Sequence, residues 1–83
     1  MEQSEVSKGV REFIEKNFVY DQEMSLKNDE SLLDSGLVDS TGILEVVSFI
    51  EQTYNISIED HEMIPDNLDS INKIATFIIS KTH

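Results

Sequence analysis

From Ser4 to Val19 the apolar residues Val6, Val10, Phe13, Ile14 and Phe18 recur at helical intervals, with Glu5, Lys8, Arg11, Glu12, Glu15 and Lys16 between them. One side of this stretch is apolar and the other charged, which predicts an amphipathic helix. Ile43, Val46, Val47, Ile50 and Tyr54 make a second such face, predicting a helix from Thr41 to Tyr54. Its valines and isoleucines lower intrinsic propensity, so tertiary packing must hold it. A third helix opens at Asp69 or Ser70, both good N-caps, and runs through Ile71, Ile74, Ala75, Ile78 and Ile79 to the end of the chain.

The segments between these faces lack a period. "YDQEMSLKNDESLLDSG" holds Met24, Leu26, Leu32 and Leu33, four apolar side chains expected to be buried against the helices. A loop of this length in a small domain usually has a functional reason. In "NISIEDHEMIPDNLD", Ile56 and Ile58 alternate like a short extended piece, and "EDHEM" fits one helical turn. Pro65 is expected to end that turn, because proline biases Ile64 away from helical dihedrals. The fold class predicted is all-α: a small four-helix bundle of three main helices and a short third helix, with a long loop between helices one and two.

At 83 residues there is room for one domain, 1–83, which buries roughly 60 to 65% of its unfolded surface. Six basic against 17 acidic residues give a net charge of -11, which argues against nucleic acid or an anionic membrane as partner. Charged partners should present basic patches. Disorder is excluded by the periodic placement of the apolar 39% of residues. With no cysteine there is no disulfide, thiolate metal site or cysteine nucleophile. "MEQSEVSKGVREF" lacks a basic region followed by an apolar one, and no apolar run is long enough to span a bilayer, so a cytoplasmic monomer is expected.

The dipeptide Asp-Ser occurs twice, at Asp34-Ser35 and Asp39-Ser40. The first precedes Gly36 and reads as a turn. The second stands where an irregular segment becomes a helix, and its plainest reading is an N-cap worth about 1 kcal/mol. Three features point further. Neither residue completes a capping box, since Gly42 follows Asp39 and Ile43 follows Ser40 at that offset. Gly42 in the first helical turn costs about 1 kcal/mol relative to alanine, and its bare backbone would give room for a group attached at Ser40. A helix N-terminus also favours a phosphate there.

Other chemistries fit poorly. There is no Gly-x-Ser-x-Gly, and the only histidines, His61 and His83, lie in a connector and at the terminus, which leaves no hydrolytic triad. "DQEMSLKNDESL" has Leu26 where an EF-hand needs glycine and Leu32 where it needs glutamate. No metal site has enough ligands.

In its order of elements the chain resembles the acyl carrier proteins and the related peptidyl carrier domains. The resemblance spans nearly the whole chain: a first amphipathic helix, a loop ending in "LLDSGLVDS", a helix "TGILEVVSFIEQTYNI", a short turn and a final "SINKIATFII". Asp39, Ser40 and Glu45 match the family's Asp-Ser-Leu motif with its glutamate five residues after the serine, whereas Thr41 and Gly42 depart from it. The resemblance implies a single acyl-carrier-like domain that is not an enzyme. It implies 4'-phosphopantetheine on Ser40, with Asp39 beside it, transferred from coenzyme A by a phosphopantetheinyl transferase.

The arm would present a thioester-linked acyl or aminoacyl group from a loading enzyme to a downstream synthase or transferase. The acidity leans towards an acyl cargo, and "DSTG" towards a specialised pathway. The family further implies a recognition face on the second helix, where Thr41, Leu44, Glu45, Ser48 and Glu51 fall towards solvent or its margin. The alternative is a small acidic helical adaptor without a prosthetic group.

Overall fold

Burying three apolar faces at once requires the helices to share one core, and the computed structural model, which describes residues 2–19 and 26–82, shows how. Among the described residues α1 spans Gln3–Phe18, α2 Ser40–Tyr54, α3 Pro65–Leu68 and α4 Ile71–Thr82, and there is no strand. The expected all-helical bundle of three main helices and a short third is what forms. Val6, Val10 and Ile14 of α1, Val46, Val47 and Ile50 of α2, and Ile71, Ile74, Ala75 and Ile78 of α4 meet in a single cluster. Each fully buried aliphatic side chain contributes about 1.5–3 kcal/mol. Phe77 joins them, so the buried stripe of α4 is wider than its isoleucines alone suggest.

α1 and α4 pack closely, and aromatic side chains join α2 to α1. Phe49 stacks on Phe13 with ring centroids 4.1 Å apart and an interplanar angle of 16°, while Phe18 and Tyr54 meet this pair edge-on. Asn55, in the left-handed region at φ 55°, ends α2. The Glu51 carboxylate then accepts from Ile58 N at 2.9 Å and draws the returning chain along the last turn.

The connector to α4 differs from expectation at Pro65. Asp60–Glu62 forms a 3-10 turn inside a Glu59/Glu62 capping box, and Ile64 is extended, as the proline requires. Pro65 does not merely stop the preceding turn; it opens α3, because its fixed φ and missing N–H suit the first position of a helix. The Lys81 ammonium bridges to Glu62 at 2.9 Å and ties this connector to the end of α4.

The described part of the long loop is fastened at two places. The Asn28 side chain accepts from Arg11 of α1, and its carbonyl accepts from Asn72 N of α4 at 2.9 Å. Further on, Leu32 N donates to Asp69 O at 2.8 Å. Leu26 and Leu32 are buried as expected, whereas Leu33 is 36% exposed. The chain turns here through bonds from Ser35 N to Ser31 O and from Gly36 N to Leu33 O, which leaves Leu32 on the core side and Leu33 to Gly36 outside. Met24 lies outside the described residues.

Candidate functional site around Ser40

The site is built by the start of α2. Asp39 is extended, at φ -94° and ψ -178°, and its Oδ1 accepts from Gly42 N at 2.7 Å, which makes it the N-cap. Ile43 N donates to Asp39 O at 3.0 Å, the first bond of the helix. The leading amides of Ser40 and Thr41 find no acceptor among the described residues and leave the positive end of the helix dipole open beside the Ser40 hydroxyl. Ser40 itself is exposed.

Gly42 serves another purpose than the sequence suggested. It is buried, and a Cβ there would lie 3.0 Å from Phe18 Cε1 and 3.0 Å from Val38 Cγ1. The missing side chain makes room for Phe18 and Val38, and gives none to a group attached at Ser40. The free space lies on the other flank of the serine. A cleft of about 240 Å³ is lined there by Leu33, Ser40, Ile43, Leu44, Met63, Ile64, Pro65, Leu68 and Asp69. Three large hydrophobic residues stand out as exposed among the described residues, Leu33 at 36%, Leu44 at 58% and Ile64 at 44%, and all three line this one cleft. Contiguous apolar surface of this kind marks a place where something docks.

The other predicted site residues divide. Leu44 shares the cleft with Ser40, as its place one turn on requires. Glu45 and Ser48 are exposed but line a different, shallow groove with Phe13, Asn17 and Phe49. Thr41 is exposed on the first turn, and Glu51 is half-buried with its carboxylate committed to Ile58 N. Leu33, Met63 and Ile64 were missed, because they come from connectors in which no period marks a face.

Ser40 and Asp69 are the polar residues of the lining, and the Asp69 carboxylate is engaged by Ser31 Oγ and Leu33 N. The cleft therefore offers no unengaged base to activate its own serine. His61 is exposed in the 3-10 turn. Among the described residues no three His, Cys, Asp or Glu are placed to hold a metal ion, and no helix is long and apolar enough to cross a membrane.

No protein-family model matches the chain. Individual relatives do. The D-alanyl carrier protein of Streptococcus suis (strain 05ZYH33) is 29% identical over 79 residues, covering 95% of this chain and 98% of that protein. That of Streptococcus pyogenes serotype M5 (strain Manfredo) is 30% identical over 78 residues, covering 94% and 96%, and that of serotype M1 matches to the same extent. The chain belongs to the carrier protein family. Proteins of this family hold a group for other enzymes and are generally not themselves catalytic. The family resemblance read from "LLDSGLVDS" and the helices around it thus agrees with the relatives.

Proposed function

We propose that Ser40 is the attachment site of 4'-phosphopantetheine and that the protein presents an aminoacyl group, D-alanine in the first instance, as a thioester on that arm. The observation that carries this reading is the exposed Ser40 hydroxyl at the first residue of α2, beside the cleft that all three exposed hydrophobics line. The residues present suit the group. A phosphodiester on Ser40 would meet the open amides and positive dipole end of α2, and the apolar cleft would lie against the arm. The thiol that holds the cargo would come with the arm, which suits a chain without cysteine.

In the modification the Ser40 oxygen bonds to the pantetheine phosphate of coenzyme A, the nucleotide leaves, and the serine proton passes to a base of the transferase. Asp39 holds the helix start, and so the serine, in place. The aminoacyl cargo rests on the names of the relatives, which turn the reading away from a fatty acyl group.

Docking falls to Leu44 in the cleft, with the exposed Thr41, Glu45 and Ser48 offering a polar and acidic margin to basic surfaces on the transferase and the loading enzyme. Glu51, its carboxylate taken up by Ile58 N, contributes charge only from behind them. Coenzyme A as donor places these encounters in the cytoplasm. Holo protein incubated with a D-alanine-activating ligase, ATP and D-alanine should gain one D-alanyl group by intact mass, and lose it to a thiol nucleophile. Loading with fatty acyl groups in preference to D-alanine would overturn the cargo assignment.

A further inference from the structure

Asp69 stands between α3 and α4 with its backbone fixed on both sides. Its N–H donates to Pro65 O at 3.0 Å, and the next residue, Ser70, is 3% exposed and caps α4 by accepting from Lys73 N at 3.0 Å. An aspartate just before a helix ordinarily turns its carboxylate to that helix's own amides. Here Ser70 does so, and the Asp69 carboxylate reaches the long loop instead. Oδ2 accepts from Ser31 Oγ at 2.5 Å and Oδ1 from Leu33 N at 2.9 Å, while the carbonyl accepts from Leu32 N at 2.8 Å. The first of these lies in the range of charge-assisted bonds. Leu32 is also held by the core, but Leu33 is not: its side chain stands at the lip of the Ser40 cleft, and the carboxylate fixes its backbone.

We propose that Asp69 is a positioning residue for docking at Ser40: its carboxylate holds Leu33 on the lip of the cleft, so that the phosphopantetheinyl transferase, which must reach Ser40 in the same cleft, meets a preformed apolar surface. The proposal rests on Ser40 as the attachment site. A surface ordered in advance spares the complex the entropy of ordering it, and the saving appears in binding rather than in the chemical step.

Asp69→Ala should raise the transferase KM for this protein by about tenfold and leave kcat within about twofold. Asp69→Asn should stay within about threefold of wild type, because the amide oxygen still accepts from Leu33 N and the amide nitrogen can donate to Ser31 Oγ. Leu33→Ala should raise KM much as Asp69→Ala does, and adding Asp69→Ala to it should cost less than about twofold more, since the aspartate acts through that leucine.

Amide exchange supplies a readout without any enzyme. The Leu33 N–H should be protected in the wild type and exchange freely in Asp69→Ala, with the amides of α1 still protected. Independent multiplication of the two KM effects, a wild-type KM in folded Asp69→Ala, or a Leu33 amide still protected there would each overturn the proposal. Should Asp69→Ala fail to fold, Ser31→Ala, which removes the donor to Asp69 together with the acceptor of Asp34 N, must show both effects at smaller amplitude. Wild type with a protected Leu33 amide but no uptake of phosphopantetheine would overturn the Ser40 reading itself.

Discussion

The turn at residues 31–36 and the start of α2 each carry an Asp-Ser pair, and the two serines end with opposite freedoms. In the turn, Ser35 Oγ donates to Leu32 O at 3.1 Å and accepts from Leu37 N at 3.4 Å, while Gly36, at φ +75°, closes the bend. The serine is consumed by its own backbone. At α2, Asp39 takes up the amide of Gly42, the helix continues, and the Ser40 hydroxyl is left with no partner among the described residues. The difference does not lie in the dipeptide. A turn folds back onto its side chains, whereas a helix, once capped by the aspartate, carries the following serine outwards.

The comparison can be broken at several points. The largest effect is expected within the turn itself. Leu32→Ala should lower the free energy of unfolding by about 2–5 kcal/mol, because that side chain is fully buried. Leu33→Ala should change it by less than about 0.5 kcal/mol, the usual range for surface substitutions. Urea titrations of both variants would check this, and equal losses would mean that the lip of the cleft belongs to the core.

Next comes the pair of aspartates. Asp39→Ala should cost about 1 kcal/mol through loss of the cap and should slow modification of Ser40, whereas Asp34→Ala, at an exposed side chain, should do neither.

Gly42→Ala is a closer contest. Helix propensity would favour alanine by about 1 kcal/mol, but the new Cβ meets an aromatic ring and a β-branched side chain, both slow to yield. Overpacking of that kind costs about 1–3 kcal/mol, so a net loss of about 1 kcal/mol is expected in thermal melts. A gain in stability would show that Phe18 yields freely.

The smallest effect lies away from both pairs. The Glu62 carboxyl is held below its ordinary value of 4.5, first by the Glu59 N–H and then by Lys81. A carboxyl lowered by folding contributes stability above 4.5 that is lost as the pH falls through its folded value. Glu62→Gln should therefore melt slightly below wild type at neutral pH and converge with it in acid.

The three long helices were legible because their periods survive along many turns: Val6, Val10 and Ile14, or Ile71, Ile74 and Ile78, lie where the pattern put them. The short helix was expected, but its place was not legible, because four residues carry no period and Pro65 reads equally as a stop and a start. Half of the site was legible in the same way, Ser40 from its place at a helix start and Leu44 one turn on. The other half comes from contacts between distant segments. Asp69 meets Ser31 and Leu33 across 38 and 36 residues of sequence, and Phe18 fills the space above Gly42. No local pattern relates those positions, so Gly42 looked like room for a substituent and Leu33 like core.

The most direct test compares the two serines in one experiment. Wild type, Ser35→Ala and Ser40→Ala are incubated with a permissive phosphopantetheinyl transferase and coenzyme A, and the intact proteins are weighed. Wild type and Ser35→Ala should each gain one phosphopantetheine and Ser40→Ala none. Uptake by folded Ser40→Ala, or its loss in folded Ser35→Ala alone, would contradict the assignment.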